Sequence, residues 1–168
     1  SRAKEHMGKL LKAEERAREL IKQILAFSRQ GEPQPKTVQV NLIVKEALKL
    51  MRASLPTTID ICQNITTSAK VLADPTEIHQ VIMNLSTNAY HAMRKTGGVL
   101  EVDLSEVELD SSLSDQHADL LPGCYLKLSV KDTGHGMNTE VLERIFEPYY
   151  TTKEHGEGTG IGLSVVHG

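Results

Sequence analysis

Two asparagines four residues apart, Asn84 and Asn88, lie in the run Asn84-Leu85-Ser86-Thr87-Asn88-Ala89. On a helix this spacing stacks both carboxamides on one face. A carboxamide oxygen is a neutral, hard donor, and Mg2+ accepts such oxygens while keeping several of its waters. By spacing alone the plainer reading prevails, two asparagines capping or hydrogen-bonding locally. A second group, Asp132-Thr133-Gly134-His135-Gly136-Met137, follows an alternating apolar segment. It is expected to hold a buried carboxylate at a strand end, able to accept a hydrogen bond from an exocyclic amine. Gly134 and Gly136 would let the backbone approach a planar ring, although an ordinary glycine turn has the same composition. The third group is Phe146-Glu147-Pro148-Tyr149-Tyr150-Thr151-Thr152-Lys153, otherwise readable as a surface loop with stacked tyrosines. The fourth is Gly156-Glu157-Gly158-Thr159-Gly160-Ile161-Gly162-Leu163-Ser164. Backbone N–H groups bared by glycine ahead of a helix start suit phosphate oxygens. The closing Gly-Lys-Ser/Thr of a P-loop is absent. No strand leads in, so it is not a dinucleotide fingerprint either, and a glycine-rich linker is the plain alternative.

These groups need elements to hold them. Asp74-Pro75-Thr76-Glu77 has the form of a helix start: Asp as N-cap, Pro at the first turn, Glu three residues after the cap. The helix it opens carries Ile78, Val81, Ile82, Leu85, Ala89, Ala92 and Met93 on one stripe, and Gly97-Gly98 ends it. Upstream, Val38 and Val40 alternate as a short strand, and Asn41 is placed to cap a helix bearing Ile43, Val44, Ala47, Leu48 and Met51. Further strands are expected at 58–62, at Val71-Leu72, over 99–107 and over 125–130, the last feeding into Asp132. A short helix is expected over 139–145 and a polar loop over 110–122. Strand–helix alternation with strand pairs adjacent in sequence implies a mixed sheet covered on one face by helices.

The first thirty residues differ. Leu10, Ala13, Ala17, Leu20, Ile24 and Phe27 follow a 3-4-3-4-3 spacing, widened by Leu11, Ile21 and Leu25. That is a long bundle-forming helix, and a single helix cannot bury such a face without a partner. Gly31-Glu32-Pro33-Gln34-Pro35 reads as a linker.

The 168 residues are 39% hydrophobic and 24% charged, enough for one packed domain plus an extra element. A net charge of -3 gives no basic field for nucleic acid. With 4% aromatics and no Trp, a base-stacking platform is disfavoured too. No run of 18 apolar residues and no leader pattern is present, so a cytoplasmic location is expected, with a membrane anchor in a longer parent left open. Cys62 and Cys124 have no metal-ligand spacing and read as idle thiols.

Taken in order, the four groups resemble the GHKL superfamily of ATPases, and specifically the catalytic and ATP-binding domain of sensor histidine kinases. NLSTNA is similar to the N box, DTGHGM to the G1 box, FEPYYTTK to the F box and GEGTGIGLS to the G2 box. The likeness covers about 36–168, and RARELIKQILAFSRQ resembles the end of the second dimerisation helix. It implies two domains: residues 1–31 as part of the dimerisation helix, and 32–168 as a catalytic domain. The implied fold is a two-layer α/β sandwich of the Bergerat type, with its C-terminal strands missing.

The resemblance implies ATP and Mg2+ as cofactors. Asn88 would coordinate the metal. Asn84 stands where hydrolysing relatives carry a Glu that activates water; an amide cannot be a general base, which favours phosphoryl transfer over hydrolysis. Asp132 would take the adenine amine, with Gly134 and Gly136 beneath the ring. Phe146 would anchor the movable lid. Gly158, Gly160 and Gly162 would line the phosphates, and Lys153 would be the γ-phosphate cation. Met137, Thr152, Thr159, Ile161 and Leu163 complete the implied nucleotide-binding set. Many relatives carry Lys or Arg where this chain has His91, a weaker and pH-dependent cation. The family's phospho-accepting His box is absent. His6 in KEHMGK lacks its pattern, so the fragment is expected not to autophosphorylate. The implied partners are the dimerisation helices of the same kinase and a response-regulator receiver domain, with no nucleic acid.

Overall fold

A computed structural model describes residues 34–110, 120–153 and 158–167. The expected N-terminal helix and most of the 110–122 loop lie outside the described residues. Contacts divide the chain into Pro35–Asn138 and a unit that takes in Thr139–Gly168.

In the first unit, β1 (Lys36–Gln39) leads into α1 (Val40–Ser54). Helix α1 buries Val40, Val44, Ala47, Leu48 and Met51, a single stripe at helical spacing. Asn41 is not the cap. Gln39 holds that position without a side-chain hydrogen bond, and Asn41 Oδ1 is buried with no partner. Burial of Val40, 6% exposed, draws the helix start two residues earlier, with Gln39 as cap, and leaves Asn41 inside the first turn. At the other end, Arg52 donates to the carbonyls of Ile59 (2.6 Å), Leu55 (3.1 Å) and Pro56 (2.8 Å). It thereby ties off the turn into β2 (Ile59–Ile65).

Strand β3 (Lys70–Ala73) pairs antiparallel with β1. Helix α2 (Pro75–Met93) follows, and its start is as expected: Thr76 N–H donates to Asp74 Oδ1 at 2.7 Å, with Pro75 in the first turn. Strand β4 (Gly98–Leu109) runs parallel to β2 and antiparallel to β5 (Gly123–Asp132). The strands therefore form two sheets, β1-β3 and β2-β4-β5. Among the described residues, only β4 and β5 pair as sequence neighbours. The others do not, because parallel β2 and β4 need a crossover, which α2 supplies.

The core lies between the helices and one face of β2-β4-β5. Leu100, Val102 and Leu104 of β4 meet Val44, Leu48, Ile82, Ala89 and Met93, with Leu126, Leu128 and Val130 at its margin. The opposite sheet face is polar. Lys131 Nζ reaches Glu101 (2.9 Å) and Asp103 (3.2 Å), and Asn64 donates to Asp103. Hydrogen bonding from Lys131 holds the Asp103 carboxyl below its ordinary range, and Glu101 with Asp103 raises the Lys131 ammonium. These exposed pairs order the ladder and add little stability.

The second unit has α3 (Thr139–Leu142), a series of turns, and α4 (Gly162–His167). Helix α3 is one turn long, shorter than the expected 139–145. Beyond it Arg144 N–H bonds the Val141 carbonyl, an i−3 pattern that tightens the chain into turns. Among the described residues no helix is long and apolar enough to cross a membrane.

Candidate functional site

Helix α2 presents one edge of the candidate site. Its core stripe is Ile82, Ser86, Ala89 and Met93. Asn84 and Asn88 flank that stripe, half-buried, and both already engage in interactions of their own. His91 follows on the next turn, also half-buried, with its ring 5.4 Å from that of Tyr90.

The Asp132 loop lies against the same helix. Leu100↔Asp132 is the last registered pair of β4 and β5, after which the chain leaves the sheet. Gly134 is the point of contact: a Cβ there would sit 2.5 Å from Ala92 Cβ and 2.8 Å from Asp132 Oδ1. No side chain fits, so glycine is what brings the loop to α2 one turn past Asn88. Gly134 N–H donates to Asp132 Oδ1 at 2.9 Å, an Asx turn that orients the carboxylate. Asp132 is exposed, not buried as expected. It is the terminal rung of its strand, and the loop beyond does not fold back over it. Gly136 and Met137 are exposed as well, and His135 Nδ1 contacts the Gly136 carbonyl at 2.8 Å.

In the second unit, Tyr149 N–H donates to the Gly160 carbonyl at 2.9 Å and joins the FEPYYTTK and glycine-rich segments. Tyr149 has φ 68° and Gly160 φ 67°. A Cβ on Gly160 would lie 2.6 Å from Tyr149 Cα. A non-glycine residue with positive φ stores strain of about 1–3 kcal/mol, which surrounding structure must hold. Gly158 lies against Lys153: a Cβ there would be 2.9 Å from Lys153 Cδ and 2.6 Å from Thr151 Oγ1. The lysine stem thus runs along the glycine loop, and Lys153 N–H donates to Thr151 Oγ1 at 3.2 Å. Thr152 is exposed. Thr159 Oγ1 accepts from Ile161 N–H (3.4 Å), while Gly162 and Leu163 open α4. Phe146 stacks on His167 with centroids 4.4 Å apart. Arg144 pairs with Glu147 at 2.9 Å and lies 4.2 Å over the Tyr150 ring. The Glu147 carboxylate raises the Arg144 guanidinium further above its ordinary value.

Comparison with known proteins decides the family. Residues 73–168 match the family model described as histidine kinase-, DNA gyrase B-, and HSP90-like ATPase. The chain belongs to that family. It is 34% identical over 154 residues to the sensor kinase CckA of Brucella abortus, covering 91% of this chain and 16% of that protein. It is 30% identical over 165 residues to the sensor histidine kinase ZraS of Escherichia coli O157:H7, covering 94% of this chain and 31% of that protein. The chain thus spans less than a third of either relative. Among solved structures, the histidine kinase ThkA in complex with the response regulator TrrA is similar in fold, with a TM-score of 0.59 at 23% identity. That match covers 84% of this chain and 38% of ThkA. The mixed α/β architecture is that of the family's ATP-binding domain.

Thr133, Ala92 and Gly98 stand in the sequence only as a motif, a core-stripe and a helix-end residue, with no role at the site. The Asp-Thr-Gly order was visible, but only the fold shows that the hydroxyl faces the start of β4.

Proposed function

We propose that this chain is the ATP–Mg2+-binding domain of a sensor histidine kinase. In the parent protein it would present the γ-phosphoryl group to a histidine on the dimerisation helices. The observation that carries this reading is the contact of Gly134 with Ala92, which holds the Asp132 loop against the helix bearing Asn84 and Asn88. Two elements packed against each other thereby carry an acceptor for an adenine amine and the carboxamides for the phosphate end.

Asp132 accepts the exocyclic amine of adenine; Gly134 and Gly136 let the chain pass beneath the ring, beside Met137. Lys153 sets a point charge on the γ-phosphate, and the amides around Gly158, Gly160 and Gly162 receive phosphate oxygens. Thr152, Thr159, Ile161 and Leu163 flank these groups, and Phe146 anchors the segment. The donor set fits a metal that arrives with its nucleotide. No cluster of three His, Cys, Asp or Glu side chains suited to a metal occurs among the described residues. Asn88 supplies a neutral oxygen, leaving the remaining positions to phosphate and water. When bound, Mg2+ neutralises charge on the phosphates. Asn84 orients without removing a proton. The acceptor nitrogen then forms the bond to the γ-phosphorus, the bond to the bridging oxygen breaks, and ADP departs. A response-regulator aspartate would be the next acceptor.

An ATP hydrolase is the second reading, and Asn84 speaks against it, because an amide cannot activate water. Supplying ATP with a separately made dimerisation domain tests the proposal. Phosphohistidine on that domain, with little phosphate release, is the expected result. Rapid phosphate release without phosphohistidine would support the hydrolase.

A further inference from the structure

At the point where β5 gives way to the Asp132 loop, the ladder ends in an unusual pair. Val99 and Thr133 stand opposite each other, one step past Leu100↔Asp132. Thr133 N–H donates to the Val99 carbonyl at 3.3 Å. In a continued antiparallel ladder, Val99 N–H would return a bond to the Thr133 carbonyl. Here it donates instead to Thr133 Oγ1 at 2.9 Å. The same hydroxyl donates toward Met93 Sδ at 3.7 Å. A side-chain oxygen has replaced the main-chain acceptor, which lets the backbone turn away from the sheet directly after Asp132.

The surroundings are built around that hydroxyl. Gly98 has φ 151°, and a Cβ there would run into Thr133 Oγ1 and lie 2.7 Å from Met93 Sδ. Only glycine leaves room for the hydroxyl between the end of α2 and the start of β4. On the far side of Thr133, Gly134 N–H fixes Asp132 Oδ1. Asp132 is therefore held from its own main chain on one side and by its Asx turn on the other. With Oδ1 taken by Gly134, Oδ2 is the oxygen left to accept from a ligand.

We propose that Thr133 is a positioning residue: its Oγ1, clamped between Val99 N–H and Met93 Sδ, aims Asp132 Oδ2 at the exocyclic amine of the nucleotide base. This rests on the assignment of Asp132 as the adenine acceptor. Without the hydroxyl, Val99 N–H would recapture the Thr133 carbonyl. The ladder would then extend by one rung and turn the Asp132 carboxylate with it.

The test compares ADP with IDP, which carries a keto oxygen in place of the amine. Both are titrated with Mg2+ against the 168-residue chain and its Thr133→Val, Thr133→Ser and Asp132→Asn variants, with thermal melts alongside. The native chain should prefer ADP. Thr133→Val should cut ADP affinity about tenfold while leaving IDP affinity unchanged, so that discrimination collapses. Thr133→Ser, which keeps Oγ1, should restore it. Loss of discrimination in Asp132→Asn together with full discrimination in Thr133→Val would overturn the positioning role and leave the Asp132 assignment standing. An equal fall for both nucleotides in Thr133→Val would also overturn it, since that is what general loosening gives. Should Thr133→Val not fold, Thr133→Ser decides: retained ADP preference with a wild-type melt is the result the clamp requires, and loss of that preference would overturn it. No preference in the native chain would remove Asp132 from the base site, and this inference with it.

Discussion

Asp132 and Ser86 show how differently two polar side chains of one site region are treated. Asp132 is exposed and receives one hydrogen bond, from Gly134 N–H. Exchange of its free carboxylate oxygen for an amide would turn an acceptor toward a donor. Asp132→Asn should therefore lose about 1–3 kcal/mol of ADP binding with an unchanged melt. Calorimetry checks the first part and thermal denaturation the second; unchanged affinity would exclude the residue from the base site. Ser86 lies on the core stripe of α2, fully buried, and its Oγ has no partner. A buried hydroxyl without a hydrogen bond costs free energy. Ser86→Ala should raise stability by about 1 kcal/mol in urea denaturation, and a fall in stability would show that the hydroxyl is satisfied in solution. The residue types at both positions were legible in the sequence, but their environments were not. Exposure of Asp132 depends on where the β4–β5 ladder stops, which is a long-range pairing.

Elements defined by local chemistry were read correctly from the sequence, and those settled by tertiary contacts were shifted. The start of α2 depends on four consecutive residues, Asp74 to Glu77, and formed as expected. The start of α1 moved because burial of Val40 outweighed the capping tendency of Asn41. Nothing local marked Arg52 as a latch, yet its guanidinium closes three carbonyls of the turn into β2. Arg52→Ala should destabilise the domain by about 1–2 kcal/mol, since charged donors to carbonyls are among the stronger hydrogen bonds; an unchanged denaturation midpoint would show that water replaces it. In the second unit, Gly160 combines φ 67° with contact against the Tyr149 backbone. Gly160→Ala adds backbone strain of about 1 kcal/mol and a direct clash. Weaker ADP binding with an unaltered Pro35–Asn138 core, seen as unchanged amide resonances there, is the expected outcome. Full affinity in Gly160→Ala would show that the Tyr149–Gly160 closure plays no part in binding.

At the scale of the whole chain, four short motifs of low individual weight became decisive through their order, and the match over 73–168 bears out the family. Order along a chain is visible without coordinates. The Val99–Thr133 exchange is not, because it joins residues 34 apart. The proposed role of Asn88 makes metal and nucleotide binding interdependent, so each should strengthen the other by the same factor. Calorimetric titration of ADP into the native chain and into Asn88→Ala, with and without Mg2+, tests this most directly. Saturable binding that Mg2+ strengthens in the native chain, with the Mg2+ effect lost in Asn88→Ala, is the predicted result. No saturable binding, or the same Mg2+ dependence in both proteins, would contradict it.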